Sequence, residues 1–144
     1  MPLITNTGTP WKNTPPDWLS TWVAKVQVDA PRCRWSLVGF SRGAAWALIL
    51  AANERLNFHR VLVVAPYAFP SCTHHERENI IAAFGRRRPG TFCVAFGSKD
   101  QWQPDKMMNM IKKGLQTHLW RILEDANHET SLERAMNELW DGVN

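Results

Sequence analysis

The chain has 144 residues, of which 44% are hydrophobic and 21% charged, and its formal net charge is +4. These values exclude a disordered polypeptide and predict one domain over residues 1–144, with a loop-rich segment at 1–16 and a core at 17–144. So small a positive charge permits an acidic partner but does not indicate one.

The predicted elements alternate between strands and helices along the chain. Apolar periodicity predicts helices over 17–27, 42–55, 75–85 and 104–116, and strands over 34–38, 60–65, 91–96 and 119–123, with a further short strand at 3–5. A last helix is expected to begin at Thr130, with Glu133 completing a capping box. The alternation predicts an α/β fold with a parallel sheet of about four to five strands flanked by helices.

One stretch combines the end of a predicted strand with the start of a predicted helix. The apolar run up to Val38 leads into Gly39-Phe40-Ser41-Arg42-Gly43, and an alanine-rich helical pattern follows. Such a G-x-S-x-G sequence between strand and helix is typical of a nucleophile elbow, which exposes the serine at the top of a sheet. Gly39 and Gly43 are expected to allow strand and helix to approach closely around Ser41.

A serine nucleophile needs a base, and the base needs an acid that orients it. Asp100 follows the third strong strand and His128 follows the fourth, at the sheet edge where the strands of such folds carry their ligands. Asp125 is a second candidate for the acid. Asp100 has an alternative interpretation as a cap of the helix that follows it, and His128 as an ordinary loop histidine.

These residues resemble a known family. Residues 34–144 are similar to the C-terminal half of an α/β-hydrolase, and residues 2–28 to the strand and helix before its elbow. Within that superfamily, the Gly39–Gly43 sequence resembles the G-F-S-x-G of the phospholipase/carboxylesterase group, which includes acyl-protein thioesterases. The stretch 97–104 resembles its acid loop, with Gln103 in place of valine. Asn127-His128 resembles its histidine loop, with Asn127 in place of glycine.

The resemblance implies a serine hydrolase that cleaves a carboxylic ester or thioester of a small or lipid-like molecule. Ser41 would attack the carbonyl, His128 would transfer the proton, and Asp100 would orient His128. The backbone N–H of Arg42 would donate to the oxyanion. Aromatic candidates for the substrate pocket are Trp11, Phe40, Tyr67 and Trp102.

The segment before the elbow is shorter than the family pattern requires, because it lacks the usual N-terminal strands. A second oxyanion donor is normally supplied there, and Thr7-Gly8-Thr9-Pro10 is the one candidate replacement. A hydrolase-like binding domain without catalysis is therefore the alternative function. The same shortness predicts an exposed strand edge, which favours a homo-oligomer unless the edge is covered.

Other functions find little support in the sequence. Cys33, Cys72 and Cys93 lack the spacing of a disulfide framework or a zinc site, so no metal or cofactor is expected and a cytoplasmic location is predicted. No signal peptide is evident, and no apolar run reaches the roughly 18 residues of a membrane span. The run 86–88 of three arginines predicts a solvated loop rather than a nucleic-acid site.

Overall fold

The computed structural model describes residues 15–66, 74–85, 92–102, 109 and 120–140. In chain order the elements are α1 (Asp17–Asp29), β1 (Ser36–Phe40), α2 (Arg42–Ala52), β2 (Arg60–Val64), α3 (His74–Gly85), β3 (Phe92–Gly97), β4 (Trp120–Leu123) and α4 (His128–Leu139). The strand predicted at 3–5 and, apart from the helical Asn109, the helix predicted at 104–116 lie outside the described residues.

The four described strands form one parallel sheet in the order β1-β2-β3-β4. Its register pairs Phe40 with Val64, Val64 with Ala95 and Gly97 with Leu123, so the carboxyl ends of all four strands lie along one edge. The α/β fold class predicted from the alternating pattern is thereby confirmed. Within the described residues, β1 and β4 are the sheet edges, and a homo-oligomer formed through an exposed edge stays a prediction.

The core lies on both faces of the two central strands. All residues of Val61–Val64 and Phe92–Gly97 are buried, which requires cover on each side of the sheet. Helix α2 contributes an apolar surface on most of its circumference and packs on β1, β2 and α3, whereas α4 packs on β2, β3 and β4. No helix among the described residues is long and apolar enough to cross a bilayer.

Two predicted boundaries near the elbow were wrong. The first strand runs over Ser36–Phe40 instead of 34–38, because its hydrogen-bonded register with β2 begins at the pair Ser36–Arg60. The helix after the elbow ends at Ala52 rather than at residue 55. Asn53 is extended there, and its side chain accepts a hydrogen bond from the Arg55 N–H at 3.0 Å, which favours a turn over another helical residue.

The start of the last helix also differs from its prediction. Helix α4 begins at His128, and Asn127 rather than Thr130 is its N-cap. The Asn127 side chain accepts from the Thr130 N–H at 2.9 Å, and the Thr130 hydroxyl accepts from the Asn127 N–H at 3.0 Å. The capping box therefore joins Asn127 to Thr130 and not Thr130 to Glu133. This shift places His128 in the first turn of the helix.

Candidate active site

Ser41 lies between the last residue of β1 and the first residue of α2. Its backbone has φ 58° and ψ −120°, a conformation that costs on the order of 1–3 kcal/mol for a residue other than glycine. Two hydrogen bonds hold it: its N–H donates to the Val64 carbonyl at 2.9 Å, and its carbonyl accepts from the Ala44 N–H at 3.0 Å. Although Ser41 occupies the N-cap position, its hydroxyl does not cap α2.

The two glycines of the elbow have different roles. A Cβ at Gly39 would lie 2.5 Å from the Ala47 Cβ and 2.5 Å from the Gly43 carbonyl oxygen, so only glycine allows β1 and α2 to approach this closely. A Cβ at Gly43 would meet no atom within 4 Å. The expectation that both glycines serve close packing is therefore correct for Gly39 and wrong for Gly43.

Asp100 is a buried carboxylate just beyond the end of β3. It is 2% exposed, and its carboxylate oxygen Oδ1 accepts a hydrogen bond from the Trp102 N–H at 2.8 Å. Its own N–H donates to the Gly97 carbonyl at 3.1 Å, which closes the turn after the strand. A buried carboxylate is stable only where hydrogen bonds or charges compensate for lost water. Its other oxygen, Oδ2, therefore needs a partner as well.

His128 supplies that partner and connects the acid to the serine. Its Nδ1 lies 2.9 Å from Asp100 Oδ2, and its Nε2 lies 3.0 Å from Ser41 Oγ. A carboxylate can only accept hydrogen bonds, so Nδ1 carries the proton and Nε2 accepts from the Ser41 hydroxyl. The structure thus joins the three residues predicted from three different strand ends in one chain of hydrogen bonds.

The ring of Phe40 contacts the imidazole from the elbow side. The two ring centroids are 5.0 Å apart, and the planes meet at 32°. Phe40 was predicted to line a substrate pocket, but its described contact is with His128. Because Phe40 directly precedes Ser41, the elbow fixes both the serine and one surface on which the imidazole rests.

Backbone strain is concentrated at the same edge of the sheet. The described residues other than glycine with positive φ are Ser41 at 58°, Ala65 at 55° and Asp125 at 64°. Ser41 and Ala65 directly follow β1 and β2, and Asp125 lies two residues beyond β4. Such conformations persist where surrounding bonds fix them, and they are frequent at functional sites.

Asp125, the second candidate for the acid, pairs with a lysine at the protein surface. Its carboxylate forms an ion pair with the Lys99 ammonium, 3.2 Å away, and its side chain is 78% exposed. Asp100 Oδ2 occupies the contact with His128 Nδ1. The geometry therefore favours Asp100 over Asp125 as the acid.

The remaining predicted residues are only partly described. Arg42 is the first residue of α2, so its N–H lies in the first turn of that helix, directly after Ser41. Trp102 is 51% exposed and is joined to Asp100 through its N–H. Trp11 and Tyr67 lie outside the described residues.

Sequence reasoning missed two residues that shape this site. Asn127 begins the helix that carries His128, and the Ser98 hydroxyl accepts from the Asp125 N–H at 2.7 Å. The Asn-x-x-Thr spacing of residues 127–130 is a capping signal that was available in the sequence. Nothing in the sequence places Ser98 beside Asp125, because the two are brought together by strand pairing.

Cys93 is a buried thiol that this site does not use. Burial raises the pKa of Cys93 to about 11, from an ordinary value of 9.0, so the thiol stays protonated near neutral pH. We expect iodoacetamide to alkylate the exposed Cys33 in the folded protein and Cys93 only after unfolding, as peptide mass spectrometry would show. The Cys93 thiol of the unfolded chain, with a pKa of 9.0, loses its proton before that of the native state, whose pKa is about 11. The stability that the buried neutral thiol contributes should therefore be lost as the pH rises from 9 to 11. Equal alkylation of Cys33 and Cys93 would contradict the burial.

The arrangement brings together a hydroxyl, an imidazole and a buried carboxylate, the three groups that nucleophilic acyl transfer by a serine uses. Ser41 has a base within hydrogen-bond distance, and the base is oriented by a buried acid. The first turn of α2 presents amide groups and the positive end of its dipole beside the serine, where a negative charge would develop.

Comparisons with known proteins agree with this fold. A family model described as a putative esterase matches residues 11–141. The crystal structure of an α/β serine hydrolase without lid from Xanthomonas campestris matches with a TM-score of 0.53 and 21% identity, covering 87% of this chain and 52% of that chain. The chain thus spans about half the length of the structure it matches. No curated protein matches the chain.

Proposed function

The chain belongs to the putative esterase family, with an α/β-hydrolase fold, and on that premise we propose that it cleaves a carboxylic ester or thioester through an acyl-enzyme. The observation that carries the proposal is the chain of hydrogen bonds Ser41–His128–Asp100, with distances of 3.0 Å and 2.9 Å. The resemblance of the elbow to that of the acyl-protein thioesterases supports the same class of substrate.

The proposed reaction has two halves. In the first, Ser41 Oγ bonds to the carbonyl carbon while its proton passes to His128 Nε2. The tetrahedral intermediate then collapses, and the same proton goes to the leaving alcohol or thiol. In the second half, a water molecule attacks the acyl-enzyme with His128 again as base, releasing a carboxylic acid and restoring Ser41. Asp100 holds the imidazole and stabilises its protonated form throughout.

One oxyanion donor is assigned to the Arg42 backbone N–H, because it opens the helix that begins directly after Ser41. The Thr7–Pro10 stretch, proposed above as a source of the second donor, lies outside the described residues. Trp102 is half-exposed and lies beside the acid, and we propose that its side chain contacts the substrate.

The second candidate function is the non-catalytic, hydrolase-like binding domain. Among the described residues, Arg42 supplies the one backbone N–H that is assigned here to the oxyanion, whereas an oxyanion hole of this fold normally uses two. A non-catalytic binding domain of this kind would retain the contact between Ser41 and His128 but release no product.

Hydrolysis of short p-nitrophenyl esters and of an acyl thioester by the purified chain tests the proposal. We expect repeated turnover by the wild type. Ser41→Ala should lower kcat by roughly 10⁶-fold, leaving only the small acceleration that binding and the oxyanion donors supply. Lys99→Ala, which removes only an exposed ion pair, is the matched control and should retain turnover. Equal rates for wild type and Ser41→Ala would exclude the mechanism, and release of less than one product per chain would favour the binding domain.

A further inference from the structure

Two loops carry the acid and the base, and hydrogen bonds join them beyond the end of the sheet. The acid loop comprises residues 97–102 and the base loop residues 124–128. Strand pairing between β3 and β4 ends at Gly97 and Leu123. Contacts nevertheless continue past that point: the Ser98 N–H donates to the Leu123 carbonyl at 2.9 Å, and the Lys99 N–H donates to the Ala126 carbonyl at 2.9 Å.

One of these contacts depends on a side chain. The Asp125 N–H donates to the Ser98 hydroxyl oxygen at 2.7 Å. Asp125 has φ 64°, a left-handed conformation that Asp tolerates better than most residues but that still needs support. The Ser98 hydroxyl holds this backbone N–H directly, whereas the ion pair with the Lys99 ammonium at 3.2 Å joins two exposed side chains and contributes little.

The two loops are also closely packed. A Cβ at Gly97 would lie 2.3 Å from the Ala126 carbonyl oxygen and 2.8 Å from its carbonyl carbon. Any residue other than glycine at position 97 would therefore clash with the backbone of Ala126. Since Asp100 is three residues after Gly97 and His128 three after Asp125, a change in the loop contacts is transmitted over a short length of chain to the Asp100–His128 hydrogen bond.

We propose that Ser98 is a positioning residue: by accepting the Asp125 N–H it fixes the base loop against the acid loop and thereby sets the contact between Asp100 and His128. This inference rests on the proposed function for its catalytic consequence. Its structural part, the effect of the Ser98 hydroxyl on the Asp100–His128 hydrogen bond, is measurable without any substrate.

The variants that test it are Ser98→Ala, which removes the acceptor, and Ser98→Thr, which retains a hydroxyl. Lys99→Ala is the matched control, because it removes an exposed ion pair of the same Asp125 and leaves the hydrogen bond from its N–H to Ser98 in place. The first measurement is the far-downfield proton resonance of the His128 Nδ1–H, assigned by its loss in Asp100→Asn. The second is kcat and KM for a p-nitrophenyl ester, with the thermal midpoint recorded for each variant.

We expect Ser98→Ala to broaden or shift the His128 resonance and to lower kcat by roughly tenfold with KM nearly unchanged, because a displaced base impairs the chemical step rather than binding. Ser98→Thr should restore both, and Lys99→Ala should change neither. A wild-type resonance and kcat in Ser98→Ala would overturn the proposal, as would a loss that Ser98→Thr fails to restore. If the resonance responds as expected while the wild type hydrolyses no ester, the positioning role stands and the proposed function fails.

Discussion

Asp100→Asn and His128→Ala are each expected to lower kcat for ester hydrolysis by roughly 10⁴-fold or more. The Asn side chain keeps the shape of Asp100, but its oxygen is required to accept from the Trp102 N–H, which turns its NH2 group toward His128 Nδ1. An NH2 group donates, so it favours the wrong tautomer and cannot stabilise the protonated imidazole. His128→Ala removes the group 3.0 Å from Ser41 Oγ and leaves the hydroxyl without a base. Steady-state kinetics with a p-nitrophenyl ester measure both effects.

Asp125→Asn is the matched control for Asp100→Asn. It is the same chemical change at the second candidate for the acid, whose side chain is 78% exposed and paired with Lys99. Asparagine also tolerates the left-handed backbone at this position, so the fold should be retained. We expect a change of less than about threefold in kcat, in keeping with the small energies of exposed ion pairs. If Asp125→Asn abolished activity and Asp100→Asn did not, the assignment of the acid would be wrong.

Gly39→Ala is expected to destabilise the protein by roughly 3 kcal/mol or more, because an added methyl group has no space between β1 and α2. The nearest neighbours of the new Cβ include the Gly43 carbonyl oxygen at 2.5 Å and the Ala44 Cα at 2.9 Å, both of which belong to the helix backbone. Relief requires the whole helix to move, and that movement would also displace Ser41. Urea denaturation of the two proteins measures the difference in free energy of unfolding.

Gly43→Ala makes the same substitution four residues later in the chain and is the matched control for Gly39→Ala. A Cβ at this position meets open space, and alanine has a higher helix propensity than glycine by about 1 kcal/mol in a helix interior. We expect unchanged or slightly greater stability at this first-turn position. Comparable destabilisation by both variants would mean that the elbow glycines are equivalent, contrary to the packing described above.

Much of the fold, and the meeting of Ser41, Asp100 and His128 at one edge of the sheet, could be predicted from the sequence. The valine-rich run before Pro66 and the apolar run ending at Phe96 were predicted as strands, and both are buried central strands of the sheet. Ser41, Asp100 and His128 each follow the end of a predicted strand. Because parallel strands place their carboxyl ends along one edge of the sheet, the three residues were expected to lie near that edge.

The details that depend on contacts between distant segments could not be predicted. Residues 127 and 130 are both good caps, and only the fold shows that Asn127 caps α4. The β1 boundary depends on its register with β2 and not on local propensity. The hydrogen bond from the Asp125 N–H to the Ser98 hydroxyl joins residues 27 positions apart, and no pattern of residue spacing predicts it.

Labelling of Ser41 by a fluorophosphonate probe tests the central claim most directly, namely that His128 activates this serine. Peptide mass spectrometry after labelling should find the probe on Ser41 of the wild type, no probe on Ser41→Ala, and a much slower reaction in His128→Ala. Labelling of wild type and Ser41→Ala to the same extent, or at the same rate with and without His128, would contradict the claim.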